Sequence, residues 1–309
     1  MNRFTVLFLG TAMVLLSATE GFCRWGFDRI SRVHRREIAQ RETLLSINDS
    51  APSANPHIAV LGNSLLLDGV DIPLLTEKLQ AQVVPVPYFV LATEYYDWQF
   101  GLKQLFAEGS HPRFVLLGLS PNQLASPRSR GDYSARHLFR RADLIEVAQE
   151  THMDATTATG FFLSSFSKFY STREVARSFF LRQTLPGVSD LLQAKLTNIQ
   201  APEIPAMKLR TLAIERLQNL SRLCSTNGSQ LVFVIPPTYQ KGEETIAAVG
   251  REFGIPVLIP VANGALDQSS YKSDGFHLNE KGSRLFTTQL ATQLEHELSS
   301  ISLNSPLHK

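Results

Sequence analysis

What most restricts the fold of this chain is a recurrence of short, unbroken apolar runs, each followed by a stretch with helical periodicity. The runs cover residues 57–61, 83–92, 114–119, 230–235 and 255–259. None has the alternating polar residues of a strand with one face in water, so each reads as a strand buried on both faces. Helical stretches follow at 73–81, 96–107, 208–225, 243–253 and 280–299. The last places Leu285, Phe286, Leu290, Leu294 and Leu298 on one stripe. Strand and helix in alternation predict an α/β fold of three layers, α/β/α, around a mainly parallel five-stranded sheet. In such sheets chemistry gathers in the crevice at the carboxyl ends of the strands.

Residues 4–18 form an uncharged apolar run behind Met1, Asn2 and Arg3. As a helix these fifteen residues cover about 22 Å, short of the roughly 30 Å hydrocarbon core of a bilayer. The length suits a signal segment, or a span stretched through Glu20, Gly21 and Phe22. Ser17 and Thr19 make a poor cleavage site, and Phe22 ahead of Cys23 is wrong for a lipoprotein signal. Residues 1–27 are therefore expected to be a membrane anchor, with export after signal cleavage as the alternative. Arg24, Arg29, Arg32, Arg35 and Arg36 follow the run, whereas Arg3 alone precedes it. A positive-inside count would keep the following domain in the cytoplasm, although long domains translocate despite such charge.

The rest of the chain divides by composition. Residues 28–56 read as a juxtamembrane helix, with Ile30, Val33, Ile38 and Leu44 on its apolar stripe, and a linker. The main domain is expected over 57–299, interrupted by a helical insertion at about 128–205, with 300–309 as a tail. Arg128 to Arg141 in the insertion read as a solvated face, or more sharply as a contact for anionic lipid or polysaccharide. Thirty Lys and Arg against 28 Asp and Glu leave a net charge of +2, too little for a dedicated nucleic-acid binder. Two cysteines, Cys23 and Cys224, exclude a disulfide scaffold and a cysteine zinc cluster. With no phosphate-cradling glycine loop and no histidine pair, no cofactor or metal is expected.

Three polar motifs fall at strand ends or just before the last helix. Gly62-Asn63-Ser64 follows the first strand and delivers a serine to the start of a helix; taken alone, Ser64 reads as a helix N-cap. Ser120-Pro121-Asn122 follows the third strand, where Asn122 either shapes a turn or donates its amide to a developing oxyanion. Asp274-Gly275-Phe276-His277 precedes the last helix. There a carboxylate three residues from an imidazole can fix its tautomer and leave Nε2 facing a serine. About 0.3 such Asp-x-x-His matches arise by chance in a chain of this composition, so the pair alone is weak. Glu94 and Asp97 read as surface helix caps.

Order and placement together say more. Serine after the first strand, asparagine after the third and Asp-x-x-His before the last helix resemble the SGNH (GDSL-like) hydrolase superfamily of esterases and acyltransferases. The resemblance covers about residues 57–298 without the insertion. It implies Ser64 as nucleophile, His277 as base and Asp274 as its orienting carboxylate, with Gly282 at the spacing that often follows. It also implies an oxyanion hole from Ser64 and Asn122. Two departures stand out. The second strand ends Leu91-Ala92-Thr93-Glu94, without the usual glycine donor, so the N–H or hydroxyl of Thr93 takes that role. Gly-Asn-Ser and Ser-Pro-Asn-Gln also replace Gly-Asp-Ser and Gly-x-Asn-Asp. Such variants are similar to membrane-anchored bacterial members that move acyl groups on envelope polymers. By that likeness the domain lies on the extracytoplasmic side and an acylated glycan is the partner. The alternative is a catalytically inactive SGNH-like module that binds polysaccharide or scaffolds an envelope complex.

Overall fold

In the computed structural model, which describes residues 2–49, 55–79, 82–173, 177 and 203–304, all five apolar runs form strands. These are β1 (His57–Gly62), β2 (Val84–Phe89), β3 (Phe114–Gly118), β4 (Gln230–Val234) and β5 (Val257–Leu258). They join in one wholly parallel sheet of order β2-β1-β3-β4-β5. The prolines account for two details. Pro85 and Pro87 cannot donate to a ladder on both sides, and β2 is an edge strand. Pro256 and Pro260 bracket β5, which shrinks to two residues instead of the five expected.

Successive side chains along each strand point to opposite faces. Ile58, Val60, Phe114, Leu116, Val232 and Val234 therefore form one buried layer. It packs on α3 (Ser64–Gly69), α4 (Ile72–Leu79) and the long α12 (Glu280–Asn304) through Leu66, Leu75, Phe286 and Leu290. Ala59, Leu61, Val115, Leu117, Leu231 and Phe233 form the other layer. Its cover is α2 (Arg32–Leu45), α5 (Tyr95–Ala107), α10 (Ala206–Thr226) and α11 (Glu243–Phe253), through Leu44, Trp98, Leu217 and Ile246. Each buried Val, Leu, Ile or Phe among them contributes about 1.5–3 kcal/mol by leaving water. The result is the three-layer α/β/α architecture, and its strand order reverses between β1 and β3.

α1 (Arg3–Ile30) is longer than the apolar run that seeds it. Its first 24 residues, Arg3–Gly26, have a mean hydropathy of 1.7 and none of the core of that stretch is buried. At 1.5 Å per residue they cover about 36 Å, enough to cross a bilayer or to act as a signal sequence. The step that adds this length is the unbroken passage of the helix through Glu20 and Gly21.

α2 buries only Leu44 of the stripe expected of it, and Ile38 is half-buried. Val33 is exposed, and the buried residues are His34, Glu37 and Leu44. Polar residues face inward here because partners meet them. His34 Nδ1 lies 2.9 Å from the Tyr133 hydroxyl, which itself donates to the Glu37 carboxylate. The helix also closes the outer edge of β2. Gln40 Oε1 accepts the Phe89 N–H at 3.1 Å, and Arg36 donates to the Phe89 carbonyl at 3.1 Å.

The insertion is helical where described, with α6 (Pro121–Ala125) before it, then α7 (Asp132–His137), α8 (Leu144–Glu150) and α9 (Ala155–Phe166). Residues 174–176 and 178–202 of the expected insertion, 50–54 of the linker and 305–309 of the tail lie outside the described residues. Its arginines are not one solvated face. Arg130 stacks over the Tyr133 ring at 3.7 Å and Arg136 donates to the Ser165 carbonyl, while Arg140 pairs with Asp143.

Candidate active site

The end of β1 is built for a close approach. Gly62 and Gly118 are partners in the parallel register, and Leu66 of α3 lies over both. A Cβ on Gly118 would stand 2.4 Å from Leu66 Cδ1, and one on Gly62 would stand 2.9 Å from it. Two glycines at neighbouring strand ends thus let α3 start directly on the sheet edge. Asn63, fully buried, caps that helix: its Oδ1 accepts the Leu65 N–H at 3.0 Å. The cap is therefore Asn63 and not Ser64, which leaves the Ser64 hydroxyl for other work.

His277 uses that hydroxyl. Its Nε2 lies 2.9 Å from Ser64 Oγ, across 213 positions of chain, and its Nδ1 lies 2.8 Å from Asp274 Oδ2. An ionised carboxylate only accepts, so Nδ1 carries the proton and Nε2 presents its lone pair to the serine hydroxyl; the tautomer is assigned from this network. The other carboxylate oxygen accepts the N–H groups of Phe276 and His277 at 2.9 and 3.0 Å. Burial works to raise the Asp274 pKa, but those two N–H bonds and the imidazole outweigh it and hold the carboxyl below its usual range. His277 and Asp274 keep 24% and 30% of their side-chain surface exposed, so the relay opens to solvent.

Local structure fixes this turn. Tyr271 and Leu278 form an antiparallel bridge, and the Lys272 N–H donates to the His277 carbonyl at 2.7 Å. Gly275 makes the reversal between them at φ +67°, a conformation that suits glycine. Asn279 donates to the carbonyls of Ser269 and Tyr271. Gly282, the first-turn glycine of α12, is needed because a Cβ there would meet the Ser270 carbonyl oxygen at 2.2 Å.

Asn122 sits in the first turn of α6, four residues past Gly118 on the strand beside β1. Its side chain is partly exposed, and among the described residues no protein group takes its amide. The helix beneath it is held firmly. Ser120 and Gln123 make a reciprocal capping box, and buried Arg216 donates to the carbonyls of Leu124 and Ser126 at 2.5 and 2.7 Å.

Thr93 is fully buried, and its hydroxyl is committed to the Val90 carbonyl at 2.7 Å. Of the two donors expected there, this removes the hydroxyl; the backbone N–H has no protein partner among the described residues. Two features of this loop escaped sequence reasoning. Ala92 is exposed and adopts φ +55°, the left-handed conformation that glycine ordinarily supplies. Asn63 Nδ2 donates to the Thr93 carbonyl at 2.9 Å, tying this loop to the residue before Ser64. The only hint of either in the sequence is the pair of departures noted above, Ala92-Thr93 without glycine and Asn63 for Asp.

Glu94 and Asp97 do cap α5, by a reciprocal box, but Asp97 is not at the surface. It is fully buried, and burial pushes its pKa up to about 6 against bonds from the N–H groups of Glu94 and Arg130. Burial likewise raises Glu94, whose carboxylate accepts the Ser126 hydroxyl at the far end of α6. Compared with models of known protein families and with curated proteins, the chain matches none of them.

Proposed function

We propose that the protein is a serine esterase or O-acyltransferase acting on acyl esters, acetyl first among them, of a cell-envelope polysaccharide or related glycan. The observation that supports the chemistry is the unbroken Asp274–His277–Ser64 hydrogen-bond chain, at 2.8 and 2.9 Å, beside the strand-order reversal. In this reading Ser64 Oγ attacks the ester carbonyl while His277 Nε2 takes the hydroxyl proton, and Asp274 stabilises the imidazolium. The oxyanion is met by the Ser64 N–H, the Asn122 amide and a backbone N–H of the Ala92-Thr93 turn. The imidazolium then protonates the departing alkoxide, leaving an acyl group on Ser64. In the second half His277 deprotonates the acceptor that attacks the acyl-serine and returns that proton to Ser64 Oγ as the acyl–serine bond breaks: water gives hydrolysis, a sugar hydroxyl gives transfer.

The glycan and the compartment rest on the resemblance to envelope acyl esterases and acyltransferases. In the same reading α1 is a single-pass anchor and the domain faces the extracytoplasmic side. The chemistry is tested by intact-mass detection of a fluorophosphonate adduct on the detergent-solubilised full chain, with Ser64→Ala and His277→Ala beside it. One adduct on the wild type, lost in both variants, is expected. No adduct on folded wild-type protein would overturn the enzyme in favour of a glycan-binding module.

A further inference from the structure

Glu20 is the single acidic residue in the apolar part of α1, and four donors surround its carboxylate. Oε1 accepts from Arg24 Nε at 2.6 Å and from the Lys168 N–H at 2.8 Å. Oε2 accepts from the Ser167 hydroxyl at 2.7 Å and the Phe169 N–H at 3.0 Å. Arg24 reaches on to the Phe166 carbonyl at 3.2 Å. The C-terminal end of α9, midway through the insertion, is therefore bonded to α1 itself, not merely to the domain.

This fixes a height. From Arg3 to Glu20 the helix rises about 26 Å, so a span that begins at Arg3 puts Glu20 within the last few ångströms of a roughly 30 Å hydrocarbon core. Whatever is hydrogen-bonded to Glu20 then lies at the bilayer boundary. Among the described residues the apolar side chains near this junction are uncovered: Leu163, Phe166 and Phe169 are 48%, 57% and 36% exposed, and Phe22 and Trp25, on the other sides of α1 from Glu20, are 62% and 64% exposed. Guanidinium groups stand over two of these rings, Arg141 over Phe166 and Arg29 over Trp25, each at 4.6 Å. Exposed rings with long basic side chains beside them match the region where hydrocarbon gives way to phosphate.

We propose that the exposed face of Leu163, Phe166 and Phe169, together with Phe22 and Trp25 around α1, seats in the headgroup layer of the membrane that α1 enters. The occupant is lipid: ring edges meet the upper acyl chains and Arg24, Arg29 and Arg141 meet phosphate. The domain is then docked on the bilayer at a set height instead of swinging from a tether. This rests on α1 being an anchor, and is independent of the esterase chemistry.

The test uses the full chain in nanodiscs whose lipids carry bromine at shallow or deep acyl positions. A Trp25→Phe background leaves Trp98, which is fully buried, as the unquenched reference. Val14→Trp reports the span, and Phe166→Trp and Phe169→Trp each report the face. The expected result is loss of Val14→Trp emission with deep bromine and of Phe166→Trp and Phe169→Trp emission with shallow bromine. Quenching at position 14 alone overturns the docking while leaving the anchor, as it would if a second copy or another protein covered this face. No quenching at any of the three overturns the anchor and the docking together.

Discussion

Gly118→Ala probes how the sheet positions Ser64 more sharply than a change at Ser64 itself. The new Cβ would stand 2.4, 2.5 and 2.7 Å from Cδ1, Cγ and Cδ2 of Leu66. All three atoms belong to one branched, fully buried side chain, so rotation about its terminal bond does not clear them. Reaching ordinary contact near 3.5 Å requires about 1 Å of movement, and the part free to move is α3. Overpacking of this kind costs about 1–3 kcal/mol. Because Ser64 opens α3, the same shift carries Oγ away from His277 Nε2, and a misplacement of about 1 Å lowers reactivity on the order of 10²-fold. The assays are chemical denaturation in detergent and the rate of fluorophosphonate labelling by intact mass. Gly62→Ala, with its nearest approach at 2.9 Å, should do less on both counts. Leu66→Ala alone should cost about 2–5 kcal/mol, yet in the Gly118→Ala background it removes the clash. The two losses should then fall short of additive by about 1–3 kcal/mol, with labelling partly restored. Wild-type stability and labelling in Gly118→Ala would refute the placement of α3 by this contact. Strict additivity would show that the clash is not with Leu66.

Asn122→Ala should lower turnover of an activated acetyl ester by about 10²–10³ with little change in melting temperature, since the side chain bonds to no described protein group. Wild-type turnover in that variant would remove Asn122 from the mechanism. Asp97 should impose a pH dependence on stability. Its pKa rises on folding from 3.8 to about 6, so folding is most favoured below about pH 4, where the group is protonated in both states. That advantage is lost as pH climbs through about 6, by up to about 3 kcal/mol. Asp97→Asn should flatten this part of the curve measured by denaturation from pH 4 to 7, and an equally steep curve would assign the slope to other groups.

The sheet was legible because four of its strands are buried on both faces, and an unbroken apolar run has few other uses. β5 was overestimated for the same reason: the run is apolar through Ile259, but Pro256 and Pro260 deny it a longer ladder. The inward face of α2 was illegible in principle. His34 and Glu37 are buried by virtue of Tyr133, 99 and 96 positions away, and no local periodicity encodes that partner. The relay falls between these cases. Neither Gly-Asn-Ser nor Asp-x-x-His means much by itself. A parallel sheet that reverses order after β1 gives the strand-end serine and the turn before the last helix a common edge, and the fold completes what spacing suggested.

The two departures from the resembling family are physically coupled. A missing glycine at Ala92 and an asparagine at 63 each look, in isolation, like decay of a catalytic motif. In the fold Ala92 holds φ +55° without glycine's freedom, a cost of about 1–2 kcal/mol that persists only where neighbours over-determine the loop. The neighbours are identifiable. Thr93 closes its hydroxyl onto the Val90 carbonyl, and its own carbonyl is gripped by Asn63 Nδ2. An ionised aspartate at 63 could still cap α3 through an oxygen, but it has no hydrogen to offer the Thr93 carbonyl and would repel it. Asparagine does both, so the residue that caps α3 ahead of Ser64 also locks the Ala92-Thr93 turn. The backbone N–H groups of that turn are the donors on which the proposed esterase reading depends.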